Sequence, residues 1–143
     1  MKAILATALL LFLPASALAG TSLIDTGKLP SKQVYETAQL IPLAMTAKGA
    51  PAVVLLDVKD GDVVPPHATK SHLRLLTVLS GDMSWGDGST VNPQKEKVYP
   101  AGSVLTIPSG EDHWLAARNG PVRIQLIVLD DEAPVPGIKE QMK

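Results

Sequence analysis

The chain has 143 residues, 45% of them hydrophobic, and a formal net charge of −1. That length fits one domain, and the absence of any basic block excludes nucleic acid as a partner. Cysteine is absent, which excludes a disulfide framework and a lipid-modified cysteine.

The chain opens on a pattern of export. Lys2 supplies a short positive region, Ala3 to Leu13 is apolar apart from Thr7, and Pro14 breaks the run. Ala17-Leu18-Ala19 then offers the small residues that a signal peptidase needs, so residues 1–19 read as a signal peptide cleaved before Gly20. The run is too short for a membrane anchor, which needs about 20 residues. The expected address is the periplasm, or the outside of the cell, with no membrane partner after cleavage.

Residues 20–50 read as an N-terminal arm punctuated by Gly27, Pro30, Pro42 and Gly49. Within it "QLIPLAM" (39–45) has the character of a short edge strand, where Pro42 suits an edge or a bulge. From Pro51 the chain becomes regular. Strands are expected at 52–58, 73–79, 83–85, 97–99, 103–107, 113–118 and 122–129, separated by Gly, Pro and Asn turns. Residues 51–131 then form the domain, and 132–143 a Pro- and Gly-punctuated tail. No segment keeps a helical period over several turns. Many short strands at regular spacing indicate an all-β sandwich or barrel.

Two stretches carry a resemblance. Gly61, His67 after five intervening residues, and Gly81 keep the frame of the first motif of the cupin superfamily. Thr69 stands where that motif has its second His, and Arg74 where it has its Glu. Gly102, Pro108, Gly110 and His113 match the second motif at its usual spacing, with Ala117 in place of its Asn. The resemblance covers residues 50–130. It implies a double-stranded β-helix (jelly-roll) barrel, often homodimeric through exchanged N-terminal segments or sheet packing. It also implies a single divalent metal such as Zn, Fe, Mn or Ni, held by three His and one Glu.

Only His67 and His113 of that ligand set remain in register, and a guanidinium at position 74 would repel a dication if it points inward. Three readings stay open. The first is a metal-free pocket for a small anionic ligand, lined by His67, Thr69, Arg74 and His113, with Arg74 as the anion hook. The second is a metal-dependent oxygenase, isomerase or lyase in which His72 joins His67 and His113 as ligands. The third is a structural or interaction protein with a vestigial pocket.

The remaining residues weigh less. Trp114 is expected to face away from His113. Trp85 lies at a hairpin, either exposed or lining the barrel mouth. Arg123 and Gln125 alternate with apolar residues and should face solvent. Glu111 and Asp112 read as a solvated turn. A serine nucleophile elbow, a phosphate-binding glycine loop and a cysteine nucleophile are all missing.

Overall fold

The computed structural model describes residues 20–70 and 72–129. The expected signal peptide and C-terminal tail lie outside the described residues.

Ten strands run in chain order: β1 (Lys32–Val34), β2 (Ala38–Met45), β3 (Pro51–Val58), β4 (Val63–His67), β5 (Leu73–Ser80), β6 (Asp82–Asp87), β7 (Lys97–Pro100), β8 (Val104–Ile107), β9 (His113–Ala116) and β10 (Val122–Leu129). Two single 3-10 turns, Thr26–Lys28 and Pro93–Lys95, are the helical content of the described residues. The strands form a six-stranded sheet ordered β1-β2-β3-β10-β5-β8 and a four-stranded sheet ordered β4-β9-β6-β7. Every recorded pairing is antiparallel.

The alternation read in the sequence positions the core. On β5, Leu76 and Val78 are fully buried and Arg74 shares their face, because side chains two apart lie on one side of a strand. Val58 and Ile124 from the larger sheet meet Val64, Met83 and Leu115 from the smaller one in a single cluster. Across the outer face, Arg123 of β10 pairs with Asp57 of β3 through two hydrogen bonds of 2.6 and 2.7 Å.

Several local features depart from the sequence expectation. β1 and β2 both lie in the segment read as an arm, and they extend the larger sheet. β1, not β2, is its edge. β2 accommodates Pro42 through a register shift between Pro42 and Ala44. β4 is a strand although it contains Pro65 and Pro66. It forms an edge of the smaller sheet, so a proline leaves no inner neighbour without a donor, and its register shifts between Val64 and His67.

Gly86-Asp87 continues β6 instead of turning. Gly86 faces Trp114 across the β6–β9 ladder, and a Cβ there would overlap the indole. The β5–β6 turn is at Gly81, between the strands expected at 73–79 and 83–85; its φ is 78° and its missing Cβ leaves room for the Pro121 carbonyl.

Candidate functional site

His67 ends β4 and His113 begins β9, directly opposite one another in register. The loop after β4 carries Thr69 and His72, and β5 then brings Arg74. The Thr69 carbonyl accepts from the Gly110 N–H at 2.8 Å, tying this loop to the one that precedes His113. The glycines and prolines of the two motifs therefore act as scaffold, holding two histidine-bearing loops together.

His67, Thr69, His72, Arg74 and His113 all line one cavity of about 660 Å³ between the sheets. Its remaining wall is mostly Leu, Ile and Val, with Tyr35, Trp85, Lys32 and Gln33. A second cavity of about 590 Å³ shares Trp85, Ile107 and His113 and carries Asp87, Glu111 and Asp112.

Four rings lie in a row along the polar side. Tyr35 contacts His67 with centroids 4.4 Å apart. His67 meets His113 edge-on at 4.5 Å. Trp85 stacks on His113 at 4.7 Å, with planes 13° apart. Trp85 is buried, which settles its place as a wall residue. Trp114 points away from the cavity, as alternation expects, and its Nε1 donates to Glu96 at 3.0 Å.

Tyr35 escaped the sequence reading. It occupies the β1–β2 turn, where both Tyr35 (φ 52°) and Glu36 (φ 62°) adopt a left-handed backbone that non-glycine residues seldom take. The Thr37 hydroxyl fixes this turn across the barrel by donating to the Val63 carbonyl of β4 at 2.9 Å. Nothing local in "VYETA" announces such a turn. The placement follows from two sheets closing over the cavity.

Both histidines are oriented by backbone. His67 Nδ1 donates to the Pro65 carbonyl at 2.9 Å, and His113 Nδ1 to the Glu111 carbonyl at 3.0 Å. The turn at Glu111 thus positions His113 through its main chain, while its side chain is exposed. Burial holds the His113 pKa below the ordinary histidine value, and nearby Arg74 and His67 push the same way. The Glu111 carbonyl and Asp87 oppose this. His113 is therefore neutral at pH 7.

Arg74 turns into the cavity. Burial lowers its pKa from the ordinary arginine value, but a guanidinium stays protonated in proteins. Desolvation likewise raises the Tyr35 pKa, with Arg74 opposing. Among the described residues, Thr69 Oγ1 and Arg74 Nη1 are the buried side-chain polar atoms without a hydrogen-bond partner.

The expected three-histidine metal set is not realised. Among the described residues no group of three or more His, Cys, Asp or Glu is arranged to hold an ion. His72 precedes β5 in a left-handed conformation (φ 69°) and lines the same cavity without joining a three-ligand group. His67 and His113 are the two imidazoles in ring contact, and the lining adds a guanidinium and no carboxylate. This donor set does not fit a divalent metal.

No protein-family model matches the sequence, and no curated protein is significantly similar to it. Solved structures do share its fold. One, described as a predicted oxalate decarboxylase from Thermotoga maritima, superimposes with a TM-score of 0.59 at 15% identity, covering 76% of this chain and 100% of that one. A cupin superfamily protein from Desulfitobacterium hafniense gives 0.52 at 19% identity, covering 70% and 84%. The iron(II) form of HppE gives 0.60 at 21% identity, covering 77% of this chain and 60% of that one. The fold is thus the cupin jelly roll.

Proposed function

We propose that the protein binds a small organic anion in the cavity between its sheets. Arg74 is the anchor, Thr69 a second donor, and His67 and His113 the polar groups beside them. The observation that carries this reading is the pair of unpartnered buried atoms, Arg74 Nη1 and Thr69 Oγ1. Leaving a buried donor unsatisfied costs about 1–3 kcal/mol, and more when it is charged. A carboxylate in the cavity offers acceptors to donors of this kind, and a guanidinium presents the planar fork that suits it.

Cupin-fold proteins include an iron(II) form of HppE, so metal chemistry is compatible with the fold. The fold does not choose among activities, and here the residues of the site weigh against a dication. The test is calorimetric titration of the purified protein with a panel of carboxylates, beside Arg74→Leu. Binding that the substitution abolishes supports the reading. Binding that survives it, or no binding of any anion, refutes it.

Export to the periplasm is part of the same proposal and is supported by the pattern of residues 1–19. Fractionation of cells making the full chain tests it. Mature protein beginning at Gly20 in the periplasmic fraction is expected, and uncleaved protein in the cytoplasm would refute it.

A further inference from the structure

The cavity is divided by chemistry into three zones. The first is the donor zone of Arg74 and Thr69.

The second is an acceptor zone. A backbone carbonyl only accepts, so the bonds from Nδ1 to Pro65 and Glu111 place the hydrogen on Nδ1 of both rings. A neutral imidazole protonated there presents a bare lone pair at Nε2. Neither Nε2 makes a hydrogen bond among the described residues, and the rings lie 4.5 Å apart. A plain carboxylate has no donor to offer them. A hydroxyl close to the carboxylate has one.

The third zone is apolar. Leu40, Leu56, Leu76, Ile124 and Leu126 line the side formed by the larger sheet. A ligand studded with hydroxyls would leave several of them unpaired against this wall, at a cost for each. A hydrocarbon body would gain by burial there.

We infer that the occupant is a monocarboxylic acid with a hydroxyl adjacent to the carboxylate and an apolar, branched or aromatic body. This rests on the anion reading above. The carboxylate meets Arg74 and Thr69, the hydroxyl donates to an imidazole Nε2, and the body lies against the leucines.

The experiment is calorimetry at pH 7.5 on the purified protein with four probes: 2-hydroxy-4-methylpentanoate, 4-methylpentanoate, lactate and inorganic phosphate. The first should bind at least tenfold tighter than each of the others, as expected for one added hydrogen bond or one buried isobutyl group. His67→Leu should bring the ratio between the first two acids close to one. Equal affinity for the hydroxylated and plain acids in the wild type overturns the inference and leaves the anion pocket standing. So does a preference for lactate or phosphate. If none of the four binds, and Arg74→Leu behaves like the wild type, both the inference and the anion reading fall.

Discussion

His67 and His113 sit opposite each other at the junction of β4 and β9, edge to face at 4.5 Å, each tied by Nδ1 to a carbonyl two residues back. A carbonyl only accepts, so these bonds place a hydrogen on Nδ1 of each ring. His113 also lies under Trp85 and within reach of the charges of Arg74 and Asp87.

That burial makes stability depend on pH. The folded pKa of His113 is depressed, so the unfolded chain binds the extra proton first. Stability is complete above the unfolded histidine pKa, about 6.5, and falls as pH drops below it. Thermal unfolding at pH 7.5 and 5.5 should show a lower Tm at 5.5. His113→Gln should flatten that difference. An unchanged Tm across the window in the wild type would show that His113 is not desolvated as described.

Arg74 is expected to be a liability to the empty fold. One of its nitrogens is buried without a partner. Arg74→Leu should leave the ligand-free protein as stable as the wild type or up to about 2 kcal/mol more stable by urea denaturation. A loss above about 1 kcal/mol would mean that the guanidinium serves the fold itself, which would weaken its assignment to a ligand.

Gly86 is held by sterics alone. Its φ lies outside the left-handed region, and the constraint is the Trp114 indole that fills the space of its missing side chain. Gly86→Ala should cost about 1–3 kcal/mol and shift the tryptophan emission, because the ring has to move. Gly88→Ala supplies the contrast. Nothing crowds that position, so its cost comes from backbone strain and should leave the emission unchanged.

Two ion pairs of similar geometry should differ in worth. The Glu96 side chain is 6% exposed and accepts from both Arg118 and Trp114. Those hydrogen bonds, chiefly that from Arg118, hold its carboxyl below the usual range. Asp57 and Arg123 are 33% and 41% exposed. Glu96→Ala should cost about 2–4 kcal/mol, since it strands the indole N–H and the guanidinium. Asp57→Ala should cost less than about 1 kcal/mol. Denaturant midpoints for the two variants check the ranking.

The parts of the molecule that were legible in the sequence follow simple periods. β3, β5 and β10 are β-branched or leucine-rich runs bounded by turn residues, and Gly61, Gly81, Gly102 and Gly110 keep a spacing that turns impose. His67 and His113 come together because both sit at fixed offsets from those turns. What the sequence hid depends on distant partners. Pro65-Pro66 reads as a stop, yet an edge strand tolerates it. Gly86 reads as a turn until Trp114 is seen across the ladder. Tyr35 reaches the cavity through a left-handed turn braced by the bond from Thr37 to Val63, 26 residues away and beyond any local cue. The direction of Arg74 depended on the parity of β5, and the loop before it made that parity ambiguous.

The identity of residues 69 and 74 should decide whether this barrel holds metal. The cavity already offers two oriented imidazoles with lone pairs at Nε2. Its lining holds no carboxylate, its histidines form no three-ligand group among the described residues, and Arg74 adds a positive charge. Titration of the wild type with Zn²⁺ should show no stoichiometric uptake. Thr69→His with Arg74→Glu supplies the two missing donors and removes the cation, giving the mixed nitrogen and oxygen set that suits Zn, Fe, Mn or Ni. The double variant should bind at least a hundredfold tighter than the wild type and lose the response to carboxylates. Tight metal uptake by the wild type itself, removed by His67→Ala and by His113→Ala, would instead mean that the guanidinium swings clear of the two rings, and the pocket would have to be read as a metal centre.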